Sequence, residues 1–178
     1  SEKEFEVDTL LLSVGLIPYN DLLDDLKIPN NPRPKGALVN ESMETAFPGI
    51  FSCGNVLHVH DLVDFVTKEG RKAGKSAAKY VQGKLIDNNE SIEVNYGNGL
   101  GYIVPNKINI DNIEESVSLN FRVKNPYENK RVLIKLNDKI IHSIFRPHML
   151  PAEMEIVELK KDLLNCKSGK LLVEIEGE

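Results

Sequence analysis

Tryptophan is absent from this 178-residue chain, and aromatic residues make up only 6% of it. A stacking platform for single-stranded nucleic acid needs exposed rings, so that class is not expected. Positive charge is also in deficit. The 22 Lys+Arg stand against 27 Asp+Glu, a formal net charge of −5. Nucleic-acid binders carry a basic face, so no nucleic-acid partner is expected. No stretch approaches the roughly 18 consecutive apolar residues of a membrane-spanning helix. The opening Ser1-Glu2-Lys3-Glu4-Phe5 is acidic and lacks the apolar core of a secretory signal. Only two cysteines occur, Cys53 and Cys166, and they form no C-x-x-C pair. Without a disulfide framework, a reducing, cytoplasmic setting is the expectation. Glycine-rich phosphate turns of the G-x-G-x-x-G kind are missing too. Gly97-Asn98-Gly99-Leu100-Gly101 opens no helix and reads as a loop.

What is present is globular in character: 41% hydrophobic and 28% charged residues, in a chain long enough to bury a core. It divides into two textures, residues 1–88 and 89–178. In the first, Val7-Asp8-Thr9-Leu10-Leu11-Leu12-Ser13-Val14 is a nearly continuous apolar run ending at Gly15. Such a run suits a strand buried on both faces of a parallel sheet. One or two helical turns are expected over Asn20 to Leu26, and a loop over the Pro-rich stretch Pro29 to Gly36. Ala37-Leu38-Val39 and Ile50-Phe51-Ser52-Cys53 are short strand candidates.

From Asp61 to about Gln82 the period becomes helical. Leu62, Val66, Ala73, Ala77 and Val81 fall on one stripe, flanked by Val63, Gly70 and Gly74. The small residues predict close packing of this helix. Lys68, Arg71, Lys72, Lys75 and Lys79 form its expected wet side, and Gly83 its stop.

The second texture alternates. Val117-Ser118-Leu119-Asn120-Phe121-Arg122-Val123 places apolar residues on odd positions, the pattern of a strand with one buried face. Arg131 to Leu136 and Lys139 to Phe145 read as a hairpin through Asn137-Asp138. Met154 to Leu159 and Lys170 to Ile175 alternate again, with short candidates at Tyr102-Ile103-Val104 and Ile108 to Ile110. Asn125 to Asn129 reads as a turn, Arg146-Pro147-His148 as a loop corner, Asp162 to Asn165 as a helical turn, and Asp87 to Tyr96 as a connector. Strands at this spacing predict a small all-β, immunoglobulin-like sandwich.

Three landmarks in order carry a resemblance. The first is Asp8 to Pro18, a strand ending in Gly15-x-x-Pro18. The second is Ala46-Phe47-Pro48-Gly49-Ile50-Phe51-Ser52-Cys53-Gly54-Asn55. The third is the small-residue helix. Over roughly residues 5 to 85 this order resembles the C-terminal stretch of FAD-dependent pyridine nucleotide-disulfide oxidoreductases, the thioredoxin reductase-like flavoproteins. Cys53 to Asp64 is similar to a narrower group of NAD(FAD)-dependent dehydrogenases, some of which carry a small C-terminal β domain. The resemblance implies an α/β fold, a partial Rossmann-like FAD/NAD(P)-binding domain. It implies an FAD cofactor, NAD(P)H as co-substrate, and electron transfer between a nicotinamide nucleotide and another substrate.

By the same resemblance, Gly54, Asn55 and Val56 contact the ribityl-phosphate region. Asn55 replaces the acidic residue of the family, and an amide both donates and accepts. The backbone amides of Leu62 and Val63, with Asp61 near the cap, would face the flavin and stabilise negative charge there. Without the flanking motifs Gly54-Asn55 would read as a tight turn; with them cofactor contact is the favoured reading, and Asp61 can be an ordinary N-cap at the same time.

The cluster His58-x-His60-Asp61, with Asp64, invites a metal reading. No metal site is expected, because the sequence offers no second ligand cluster. His58 and His60 are left either as groups lining the cofactor for proton transfer or as a polar loop over it. Cys53 lacks a resolving partner, so disulfide-reductase chemistry is not expected.

With neither Gly-rich turn present, the chain is expected to be a C-terminal fragment or one subunit of a longer enzyme, inactive alone. Its partner is then the remainder of that enzyme, and unpaired sheet edges leave room for homo-oligomers. The alternative is a non-catalytic interaction module, with a sheet edge around Val117–Val123 recruiting a partner strand.

Overall fold

The computed structural model describes residues 3–13, 15–86 and 90–177. The second half builds eight strands: β1 (Ile92–Tyr96), β2 (Leu100–Val104), β3 (Lys107–Ile108), β4 (Ser116–Val123), β5 (Tyr127–Leu136), β6 (Lys139–Met149), β7 (Glu155–Lys160) and β8 (Gly169–Ile175). They form a five-stranded sheet in the order β3-β1-β8-β5-β6 and a three-stranded sheet in the order β2-β4-β7. Most neighbours are antiparallel, but β1 pairs with β8 in parallel. Both sheets feed one apolar core. Leu119 and Phe121 of β4 and Leu159 of β7 meet Ile92 of β1, Ile134 of β5 and Val173 of β8 there.

The alternation in Val117 to Val123 holds as expected, with the odd positions buried. The Asn137-Asp138 hairpin holds too. Both residues take positive φ, 49° and 66°, as a two-residue turn matched to strand twist requires. Other sequence expectations give way. Tyr127 to Asn129 and Arg146 to His148 lie inside β5 and β6, because those strands pair along their whole length, Tyr127 opposite Met149. The expected connector contains β1, which finds partners in β3 and β8. Val117–Val123 is not an edge: β4 is the middle strand of its sheet, paired on both sides.

The first half has a different character. Among the described residues before β1 there are two α-helices, α1 (Asp21–Asp24) and α2 (Val63–Val81), a 3-10 turn over Gly54–Val56, and no strand. Ala37 to Val39 and Phe51 make only isolated bridges. The apolar run from Val7 to Ser13 is not a strand. Leu10, Leu11 and Leu12 are 72%, 91% and 72% exposed. A doubly buried strand needs neighbours on both sides, and the described chain supplies none. Val14 lies outside the described residues.

Helix α2 is also not the close-packed element predicted. Its buried residues are Glu69, Ala73 and Ser76. Leu62, Val63 and Val81 are exposed, and a Cβ added at Gly70 or Gly74 would meet open space. Lys72, expected in water, is half-buried. Burial pushes its ammonium pKa down, against the pull of Glu41, Glu158 and Glu69.

A smaller apolar core holds the first half to the second. Ile28, Ala37, Val39, Met43, Leu57 and Ala73 pack with Tyr102 and Val104 of β2. Strand β2 is therefore buried along its whole length, with Leu100 and Ile103 in the sheet core and Tyr102 and Val104 in the smaller one. Polar ties reinforce the seam. The buried Glu41 carboxylate accepts from Asn109 N–H at 2.7 Å and from the Asn112 amide at 3.0 Å. The expected boundary after Asn88 falls outside the described residues, and the packing on β2 crosses it. No helix among the described residues is long and apolar enough to cross a membrane.

Candidate functional site

The bridged segment around Phe51 runs extended through Cys53 (φ −156°, ψ 165°) into Gly54. Gly54 takes φ +68°, which glycine tolerates without strain. The chain then makes one 3-10 turn, closed by Leu57 N–H donating to Gly54 O at 2.9 Å. That turn aims His58 and His60 inward, toward the first turns of α2.

Glu69 of α2 receives them. His58 Nε2 lies 2.6 Å from Glu69 Oε1, and the His58 side chain is fully buried. Gly54 N–H donates to Glu69 Oε2 at 2.7 Å. His60 Nε2 is 3.0 Å from the same Oε2 with its side chain 3% exposed. That approach is off hydrogen-bonding geometry, and among the described residues neither ring nitrogen of His60 has a hydrogen-bond partner. The two imidazoles meet edge to face at 4.5 Å. Burial alone would raise the Glu69 carboxyl, but the two histidines overcome it and hold it down at about 2. Glu69 is thus an anion at neutral pH, clamping the turn to the helix.

Asn55 and Val56 are exposed at the tip of that turn. Asn55 Oδ1 accepts from His60 N–H at 3.1 Å. Its acceptor is committed to the protein, so what it offers a ligand is the NH2 donor.

Asp61 does not cap α2. The N-cap position is Leu62, with no side-chain cap hydrogen bond. The Asp61 carboxylate instead accepts from Arg122 of β4 at 2.5 Å and from Met154 N–H at 2.7 Å. Partial burial works to raise this carboxyl, but those bonds to Met154 and Arg122 hold it below the usual range. Arg122 also donates to the Val59 carbonyl at 3.0 Å and to the Ala152 carbonyl. The lure of an acidic residue two positions before a helix was met by a stronger partner, a guanidinium fork on the neighbouring sheet. Leu62 and Val63 stand exposed at the uncapped helix start.

The structure thus brings Gly54, Asn55, His58 and His60 to one place and sends Asp61 to another. Glu69, which joins them, was missed in sequence. It lies in the middle of a lysine-rich helix, where a carboxylate looks like solvent-facing charge. Its eleven-residue spacing from His58 becomes legible only once the helix register is known. Cys53 and Cys166 are free, and burial, with Glu69 nearby, pushes the Cys53 thiol pKa up, which suits an inert thiol. A cleft of about 670 Å³ lies elsewhere, lined by Asn40, Thr45, Glu93, Asn95 and Lys107 among others. None of the candidate cofactor-binding residues Gly54, Asn55, Val56, Asp61, Leu62 and Val63 lines it.

No curated protein and no solved structure matches the chain. Residues 1–73 match the family model of the pyridine nucleotide-disulphide oxidoreductases. The match spans the exposed apolar run, the Gly54-Asn55 turn and the first half of α2. Over that segment, which is less than half of its length, the chain is similar to the pyridine nucleotide-disulphide oxidoreductases.

Proposed function

We propose that this chain is the C-terminal part, or one subunit, of an FAD-dependent oxidoreductase that passes electrons between NAD(P)H and another substrate. The observation that carries the reading is the pairing of the family match over residues 1–73 with a strand-like apolar run left exposed at Leu10 to Leu12. Such a run is suited to a parallel sheet whose other strands lie elsewhere in the enzyme. Exposed Leu62, Val63 and Val81 extend the surface available for that contact.

The residues present fit the cofactor. Gly54 brings backbone close without a Cβ, Asn55 offers an outward donor to ribityl or phosphate oxygen, and Val56 lies exposed beside it. The uncapped start of α2, at Leu62 and Val63, presents the positive end of a helix dipole to an electron-rich group. FAD, when bound, supplies the redox chemistry. Asp61 contributes here by anchoring the loop to Arg122, not by contact. The second half would be the small immunoglobulin-like β domain of such enzymes, and the free cysteines suit a reducing cytoplasm.

The test is Asn55→Leu in the full-length enzyme. Flavin content per protein, read from visible absorbance, is expected to fall severalfold. Unchanged flavin content and turnover would remove Asn55 from the site. The 178-residue chain alone, lacking Gly-rich phosphate turns, is expected to lose FAD on gel filtration, and a retained flavin spectrum would contradict that.

A further inference from the structure

We propose that His58, His60 and Glu69 form a binding site for one divalent transition-metal ion of the zinc class. The three side chains come from two elements and converge so that their donor atoms lie within 4.8 Å of one another. Two imidazoles and one carboxylate are a recurrent donor set for such ions, leaving a fourth position open.

The second observation is His60. Its side chain is 3% exposed, and among the described residues Nδ1 and Nε2 have no hydrogen-bond partner, Nε2 meeting Glu69 only at ion-pair distance. Burying polar nitrogens without partners costs on the order of 1–3 kcal/mol. Yet Nε2 points at Glu69, 3.0 Å from Oε2 and not in hydrogen-bonding geometry. A metal ion between them supplies the missing partner. It takes the lone pairs of His60 and His58 and the charge of Glu69 at once. Gly54 N–H, donating to Glu69 Oε2 at 2.7 Å, holds the carboxylate in orientation, the outer support that metal carboxylates require.

The donors sit slightly closer than a tetrahedral ion would hold them. His58 Nε2 is 2.6 Å from Oε1, whereas ligands about 2.0–2.1 Å from zinc are roughly 3.3 Å apart. The carboxylate therefore backs away by less than an ångström as the ion enters and displaces any proton held between His58 and Glu69. Asp61 and Asp64 take no part: Asp61 is engaged by Arg122 and Asp64 is exposed.

The experiment uses the full 178-residue chain, stripped with a chelator and titrated with Zn2+ and with Co2+. One equivalent per chain is expected, with tetrahedral visible bands for Co2+ and a rise in Tm with added Zn2+. His60→Ala is the informative variant. Its metal affinity is expected to fall at least tenfold, while the chelator-treated variant keeps the far-UV circular dichroism of the parent chain with a Tm lowered by the lost contacts to His58, Phe65 and Glu69. His148→Ala, on β6, is expected to bind as the parent chain does. Absence of stoichiometric binding, or binding that His60→Ala leaves intact, overturns the proposal. It does not rest on the flavin reading, since neither metal stoichiometry nor the Co2+ spectrum involves FAD.

Discussion

At the scale of single residues, two glycines behave oppositely, and the reason is what faces them. A Cβ at Gly36 would come within 1.7 Å of the Leu57 carbonyl oxygen, a backbone atom that cannot rotate away. Gly36→Ala is expected to destabilise the chain by about 3 kcal/mol, read as a drop in urea midpoint, because it pushes apart the small core that seats Leu57. Gly74 lies in the middle of α2 with nothing near its missing Cβ. Gly74→Ala should stabilise by about 0.5–1 kcal/mol, the ordinary helical gain over glycine. If Gly74→Ala instead lowers the midpoint, the helix packs more closely in solution than its surroundings here imply.

At the scale of elements, the β5–β6 hairpin is governed by its turn. Asp138 sits at φ 66°, a conformation that glycine adopts more readily. Asp138→Gly completes the Asn-Gly pair favoured there and is expected to add about 0.5 kcal/mol in thermal unfolding, with register unchanged. Helix α2 shows the limit of periodicity. Its apolar stripe was readable, but the face it turns inward carries Glu69, Ala73 and Ser76. That face also holds the buried His58-Glu69 contact and Ala73 of the expected stripe, while Leu62 and Val81 at the two ends stay exposed.

At the scale of the whole molecule, Arg122 is the rivet between halves. It joins Asp61 and Val59 of the first to β4 and the Ala152 carbonyl of the second. Arg122→Ala strips Asp61 of its cation and is expected to cost about 1–3 kcal/mol in chemical denaturation, as for hydrogen bonds to charged groups. A loss below about 0.3 kcal/mol would show the pair to be an ordinary surface bridge. Leu10, Leu11 and Leu12 are largely exposed among the described residues. Replacing all three with Ser is therefore expected to leave Tm unchanged while reducing self-association in sedimentation velocity. A lower Tm would mean that the segment packs.

The sequence by itself determined the β pattern of the second half, the hairpin turn, the long helix and the family likeness of the first part. Each depends on local chemistry: alternation, positive-φ residues, helical period, and short motifs in order. Tertiary structure alone decided the rest. Tyr102 and Val104 serve the first half's core from within the second half, a role no local pattern encodes. Arg122 claimed Asp61 from the helix start that its position suggested. Glu69 joined His58 and His60 because a buried carboxylate must find hydrogen-bond partners once the helix register brings it inward. The apolar run Val7 to Ser13 carried the composition of a buried strand, but burial needs neighbouring strands that the described residues do not provide.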